Sequence, residues 1–218
     1  MNAAEVLLVL PVLLFSVILH EVAHAWVALR EGDDTAYKLG RITLNPLPHI
    51  DLFGSVLFPL ALVLGHSRLL FGWAKPVPVI ARNFRNYRRG DILVSLAGIA
   101  ANLCLAVAFT VLSVALALLA RAAAIPELGL LQRMTGYGIS INLVLAFFNL
   151  IPIPPLDGSH VLYHLLPVRL SMYYRRAGQY GMLLLLALMF MRPGVLNVLL
   201  WPAARLEALL LGFIPGAR

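Results

Sequence analysis

His20-Glu21-Val22-Ala23-His24 is the stretch of this sequence whose residue types and spacing specify chemistry most directly. In a helix, residues four apart stand on one face, a turn from each other. Two imidazoles so placed can grip one Zn2+, and the glutamate beside them can take a proton from metal-bound water. At this composition the pattern arises by chance about 0.004 times per chain, so coincidence is a weak rival. The surrounding segment, Val6 to Leu29, is otherwise apolar. An ionisable side chain inside a membrane span costs roughly 2.5 kcal/mol or more and defaults to function. The competing reading is a polar patch that joins helices.

A catalytic zinc takes three protein ligands and keeps one position for water. Among the carboxylates outside the first helix, Asp157 stands out. It follows a stretch broken by Pro152, Pro154 and Pro155, and irregular backbone at membrane depth survives only when buried in protein or lining a wet cavity. Asp157 could instead cap the helix that resumes near Ser159. His160 and His164 repeat the one-turn spacing without a glutamate between them. They read as partners of the metal ligands or as a polar helix face, with a separate metal site as the lesser reading. Asn102 and Asn149 are amides within apolar segments. Either could donate to a developing oxyanion or to a substrate backbone, or could join helices. Asn149, eight residues before Asp157, is the stronger candidate for function.

The elements that must position these groups follow from composition. Of 218 residues, 61% are hydrophobic and 12% charged, against about half and a quarter in soluble domains. Leu93 to Ala120 holds no charged residue, and about 20 apolar residues suffice to cross a bilayer. The chain therefore reads as an integral membrane protein. Met1 to Glu5 lacks the basic residues of a signal peptide, and the apolar run beyond it is too long, so the first segment reads as a retained span. The net charge of +7 belongs with cytoplasmic loops of a membrane protein and not with nucleic acid. The single cysteine, Cys104, forms neither a disulfide nor a metal cluster and reads as a packing residue.

Along the chain, the first span is Val6 to Leu29. Tyr37 to Asn45 is too polar to span and has strand or hairpin character around Gly40. Leu52 to Leu64, with Pro59 inside, has the length of a re-entrant segment, and His49 and His66 flank it at the interface. A loop over 66–91 precedes the second span, Ile92 to Ala120, where Gly98 and Asn102 lie four apart among small residues that allow close helix approach. A third span starts near Thr135, breaks after Asn149 and resumes over Ser159 to Leu166. An apolar run, Ala177 to Met191, and a final segment, 195–214, complete the chain. The expectation is an all-α polytopic membrane protein of about five transmembrane helices, six if 51–65 spans. A short re-entrant β-hairpin or loop element would follow the first helix. One domain covers 1–218, with a catalytic core over about 6–166 and C-terminal helices over 177–214.

His20 to His24, Leu39-Gly40-Arg41-Ile42-Thr43-Leu44-Asn45-Pro46, Gly98 to Asn102, and Phe148-Asn149-Leu150-Ile151-Pro152-Ile153-Pro154-Pro155-Leu156-Asp157-Gly158 together resemble the site-2 protease family of intramembrane metalloproteases. The likeness runs from about residue 15 to 165, and the order and separation of the motifs make it specific. It implies His20, His24 and Asp157 as ligands of one Zn2+ per chain, Glu21 as the catalytic base, and Asn149 near bound substrate. Family members cut transmembrane segments of other proteins. Many carry a PDZ or nucleotide-sensing domain, for which 218 residues leave no room, so the likeness is to a minimal member. Ala100 stands where the family often has proline.

The expected function is hydrolysis of peptide bonds within transmembrane segments, in regulated intramembrane proteolysis or clearance of membrane remnants. The partners are transmembrane protein substrates and the lipid bilayer, not nucleic acid. The rivals are a membrane metal-binding or transport protein and a catalytically silent scaffold. A transporter has no need of a glutamate beside the histidine. The distribution of Lys and Arg puts the N-terminus outside and residues 30–91 at the cytoplasmic face of a bacterial cell membrane. The metal then lies roughly 10–15 Å in from that face, at about 1.5 Å per helical residue.

Overall fold

The computed structural model describes residues 3–57, 61, 64, 75–123 and 128–215. The described residues are mostly helical and contain no strand. Helix α1 (Ala3–Glu31) carries the H-E-x-x-H stretch in its second half. It ends where Gly32, at φ 116°, lets the Asp33 N–H reach back to the Ala28 carbonyl at 2.9 Å.

A single helical turn, α2 (Thr35–Lys38), follows. It closes in the same way. Gly40 takes φ 65°, its N–H meets the Tyr37 carbonyl, and the Arg41 N–H meets Ala36, both at 2.9 Å. This pattern is a glycine-terminated helix end. It corrects the hairpin expected over Tyr37 to Asn45: the left-handed glycine stops a helix there and does not turn a strand. Beyond it, the Thr43 hydroxyl and the Asn45 carboxamide accept from the N–H two residues on, Asn45 and Leu47, which suits a bend rather than a ladder. His49, expected at the interface, is buried, with Nε2 3.0 Å from the Thr43 carbonyl. Leu52–Leu57 forms a π-helical turn. The rest of the expected re-entrant segment, with Pro59 and His66, lies outside the described residues apart from 61 and 64.

Residues 75–80 run extended, as Pro76 and Pro78 favour for Lys75 and Val77 before them. The segment is pinned along its length. Lys75 N–H donates to His49 O at 2.9 Å, and the buried Arg41 donates through Nη2 to the carbonyls of Lys75 at 2.8 Å and Pro76 at 3.3 Å. Ile80 N–H donates to Asp33 Oδ2 at 2.7 Å.

Helix α3 (Tyr87–Ala123) has 37 residues, about 55 Å at 1.5 Å per residue, more than a hydrocarbon core of about 30 Å needs. Helix α4 (Leu128–Asn149) packs along it, and α1 packs against both. After an irregular turn, α5 (Asp157–Leu165) docks on α3. The C-terminal part is broken into short helices: α6 (Val168–Ala177), α7 (Gly181–Met191), α8 (Pro193–Leu199) and α9 (Trp201–Leu211). The single final segment expected over 195–214 is interrupted at Leu200, where Pro202 starts a new helix instead of continuing the old one. Helix α9 packs on α4, and its Glu207 carboxylate accepts the Ser140 hydroxyl.

Among the described residues, two helices are long and apolar enough to cross a membrane, Glu5–Glu31 and Tyr87–Ala122. Polar side chains lie inside the packed region beside its apolar core, and large apolar ones stand outside it. Ser16, Asn102, Thr110, Ser113 and Asn142 are buried, while Leu7 is 72% exposed, Val111 65% and Leu183 67%. Cys104, expected to be a packing residue, is exposed.

Candidate metal centre

Helix geometry puts His20 and His24 on the face of α1 that meets α3, and both are buried. Each Nδ1 is occupied. His24 Nδ1–H donates to the Val94 carbonyl at 2.6 Å, an acceptor that leaves no choice of tautomer. His20 Nδ1 lies 2.5 Å from Asn102 Oδ1, and the direction of that bond is fixed from far away. The Gly138 carbonyl can only accept, so Asn142 presents Nδ2 to it at 2.8 Å. The same Nδ2 lies 2.8 Å from Ser16 Oγ, whose own proton goes to Val12 O. Asn142 Oδ1 must then accept from Asn102 Nδ2, at 2.8 Å. Asn102 Oδ1 is left for His20, so His20 Nδ1 is the donor. Both imidazoles therefore keep a bare lone pair on Nε2.

Asp157 is the first residue of α5. The reading of it as a cap fails, since the helix has no side-chain cap. Its Oδ2 stands 3.2 Å from His20 Nε2 and 3.4 Å from His24 Nε2, and the two Nε2 atoms are 2.9 Å apart. Oδ2 is buried and receives no hydrogen bond. Three acceptor atoms thus converge with no donor between them. A shared proton can serve two of the three; a divalent cation serves all. Tetrahedral zinc with bonds of about 2.0–2.1 Å separates its ligand atoms by about 3.3–3.4 Å, which the triangle of 2.9, 3.2 and 3.4 Å approaches. The residues present fit the ion.

The close approach of α3 depends on Gly98. A Cβ there would lie 2.5 Å from His20 Cε1 and from His24 Nε2. Glu21 accepts the Val77 N–H through Oε2 at 2.8 Å, so the extended segment 75–80 lies against the carboxylate next to His20.

The structure brings together His20, His24, Asp157 and Asn102, and puts Asn102 where it joins helices, one of the two uses expected of it. It has no exposed surface, and both ends of its amide are engaged, Oδ1 by His20 of α1 and Nδ2 by Asn142 of α4. Asn149 makes no hydrogen bond to the trio. It is half-buried, with Nδ2 donating to the Leu145 carbonyl at 3.0 Å. His160 and His164 both meet Asp91, a partner the sequence reading did not supply. It missed Asn142, Val94 and Val77 as well. One signal was available: Asp91, Val94, Gly98 and Asn102 are spaced three, four and four apart and share one face of α3.

The family model for Peptidase family M50 matches residues 8–192. The chain is 42% identical over 191 residues to "Putative zinc metalloprotease YwhC" of Bacillus subtilis (strain 168), covering 87% of this chain and 82% of that one. It is 33% identical over 180 residues to "Putative zinc metalloprotease Rip2" of Mycolicibacterium smegmatis (strain ATCC 700084 / mc(2)155), covering 81% of this chain and 64% of that one. No solved structure matches. The chain belongs to peptidase family M50, the site-2 protease family.

Proposed function

We propose that this protein is an intramembrane zinc endopeptidase of the H-E-x-x-H type, with one Zn2+ held by His20, His24 and Asp157. The observation that carries the reading is the donor-free convergence of two Nε2 atoms and Asp157 Oδ2 beside a glutamate that is not part of the triangle. The names of the two bacterial relatives support zinc as the ion. When bound, zinc supplies a Lewis acid for the scissile carbonyl and acidifies the attacking water.

The chain's own groups do the rest. Glu21, tethered at Oε2 by Val77 N–H, takes the proton of the attacking water at Oε1 and hands it to the leaving amide nitrogen. Asn102 and Asn142 hold His20 in the tautomer that leaves Nε2 bare. Asn149 Oδ1, at the end of α4, is assigned to the substrate backbone. The irregular backbone over 150–156 offers an unwound substrate a place to pair.

The setting is a multi-pass cell membrane. The length of α1 and α3 and the apolar outer surface support it. Asn83 Nδ2 bonds Asp33 Oδ1 at 2.9 Å and Arg85 N–H bonds Glu31 O at 2.8 Å. These contacts keep the basic segments on either side of 52–64 together, which supports a dip and not a crossing, with both at the cytoplasmic face. Single cysteines at Asp34 and Asn83 in a Cys104→Ala background should label with an impermeant reagent from the cytoplasmic side only; labelling from opposite sides would refute that topology.

The function is tested with purified protein and a transmembrane substrate. Wild type should hold about one zinc per chain and cleave. Glu21→Gln should keep the zinc and lose cleavage, whereas His20→Ala, His24→Ala and Asp157→Ala should lose the metal. Turnover by Glu21→Gln would remove the base from the scheme.

A further inference from the structure

Apart from the metal trio, one other cluster of ionisable groups is built into the described residues. Asp91 of α3 is buried, and one of its oxygens, Oδ2, faces two histidines of α5. His164 Nε2 lies at 2.7 Å and His160 Nδ1 at 3.3 Å. The His164 side chain is buried, flanked edge-on by the rings of Tyr87 and Tyr163 at 5.2 and 4.9 Å. The His160 side chain is half exposed.

Helix α5 has nine residues and no side-chain cap. A helix so short has little stability of its own, so its setting must come from what it touches. Asp157, His160 and His164 are three and four apart and fall on one face. The orientation of that face about the helix axis decides where the Asp157 carboxylate points. A side-chain oxygen about 5–6 Å from a helix axis moves about 1 Å for a rotation of about 10°, and a metal site tolerates about 0.2 Å.

We propose that Asp91 is a positioning residue of the metal centre, holding His160 and His164 on one carboxylate oxygen and so fixing the rotation of α5 that aims Asp157 at His20 and His24. The proposal rests on the ligand set given under the proposed function.

The test uses the full-length purified chain and three readouts: zinc affinity by chelator competition, the visible spectrum of the Co2+-loaded protein, and thermal stability. Asp91→Asn should weaken zinc binding about 10–100-fold and shift the Co2+ bands, since the third ligand is displaced. His160→Ala, at a half-exposed position, should give a smaller change in the same direction and guards against loss of folding in the first variant. Asp33→Asn is the control. It breaks a buried carboxylate hub of comparable size that does not touch α5, and should lower thermal stability with the Co2+ spectrum unchanged. The proposal is overturned if Asp91→Asn binds zinc as wild type does with an unshifted spectrum, or if its loss is matched by Asp33→Asn. It is also overturned if wild type holds a second zinc that Asp91→Asn alone removes, because the cluster would then be a metal site itself. Full zinc affinity in Asp157→Ala marks a different failure, that of the ligand set, and takes the clamp with it.

Discussion

Gly98→Ala is the smallest change that should dismantle the metal centre. The new methyl carbon would sit 2.5 Å from His20 Cε1 and His24 Nε2 and 2.7 Å from His20 Nδ1. Ordinary contacts between such atoms need about 3.5 Å, so something must give by about 1 Å. If the rings retreat, they leave a triangle whose edges are 2.9 to 3.4 Å, and the displacement is about five times what a metal site tolerates. If α3 retreats instead, the His20 and His24 Nδ1 bonds at 2.5 and 2.6 Å stretch to about 3.5 Å, beyond hydrogen-bond range. Buried donors left in that condition cost about 1–3 kcal/mol each. Either route should weaken zinc binding by about 100-fold or more, about 2.7 kcal/mol. Zinc content after dialysis and competition against a graded series of chelators measure it. Gly136→Ala is the control, since a methyl group there meets nothing within 4 Å. A Gly98→Ala protein that kept one zinc per chain and the chelator resistance of wild type would show that the rings do not lie against α3, and the orientation argued above would fall with that contact.

Two further outcomes follow from the buried polar groups. Asn142→Leu removes the amide that fixes the direction of the relay and strands Asn102 Nδ2; thermal stability should fall by about 1–3 kcal/mol and zinc affinity by about 10–100-fold, and a stability loss with unchanged affinity would mean that the relay only packs helices. Asp33 concerns pH: burial opposes its charge, but the Ile80 N–H, the Thr35 hydroxyl and N–H and the Asn83 amide outweigh it and hold the carboxyl below its ordinary range. With the folded pKa depressed, the stabilisation is present above the unfolded value of about 3.9 and is lost as pH falls through the lower folded value. Asp33→Asn should therefore melt lower at pH 7 by an amount that shrinks once pH drops below about 4; a gap independent of pH would assign the loss to packing.

How much of this was readable beforehand depended on the kind of signal. The convergence of His20 and His24 was legible because helical spacing is strict, and that of Asp157 because three prolines marked backbone that only a cavity or packed protein could accommodate. The all-helical class followed from long apolar runs. The hairpin over 37–45 was not legible, because alternating polarity looks the same in a strand and in a helical turn ended by Gly40, and only the long-range partner decides. That Asn102 could join helices was legible, but its partners were not, for a related reason. An amide in an apolar segment can face substrate or a histidine, and the choice depends on Asn142, forty residues away and silent in any local pattern. The segment 75–80 read as loop. Its alternating prolines did announce an extended chain, but not that Arg41, Asp33 and Glu21 would hold it down.

The face of α3 that carries Asp91, Val94, Gly98 and Asn102 explains how His20 and His24 on one helix and Asp157 on another are brought to one point. Helix α5 docks on α3, and direct packing between α5 and α1 is slight. Nothing in their own contact would fix Asp157 relative to His20 and His24. Each is instead referred to the same rod. Val94 and Asn102 fix the two rings by hydrogen bonds, Gly98 gives them room, and Asp91 holds the helix that delivers the carboxylate. The four positions span less than half of a continuous 37-residue helix, whose internal hydrogen bonds keep them in fixed register. A shift of α1 or α5 must therefore break its own polar anchor to α3 before it opens the triangle. That arrangement predicts a hierarchy: substitutions on this one face of α3 should disturb the metal more than substitutions of equal size on its outward face, where Val107 and Val111 are exposed.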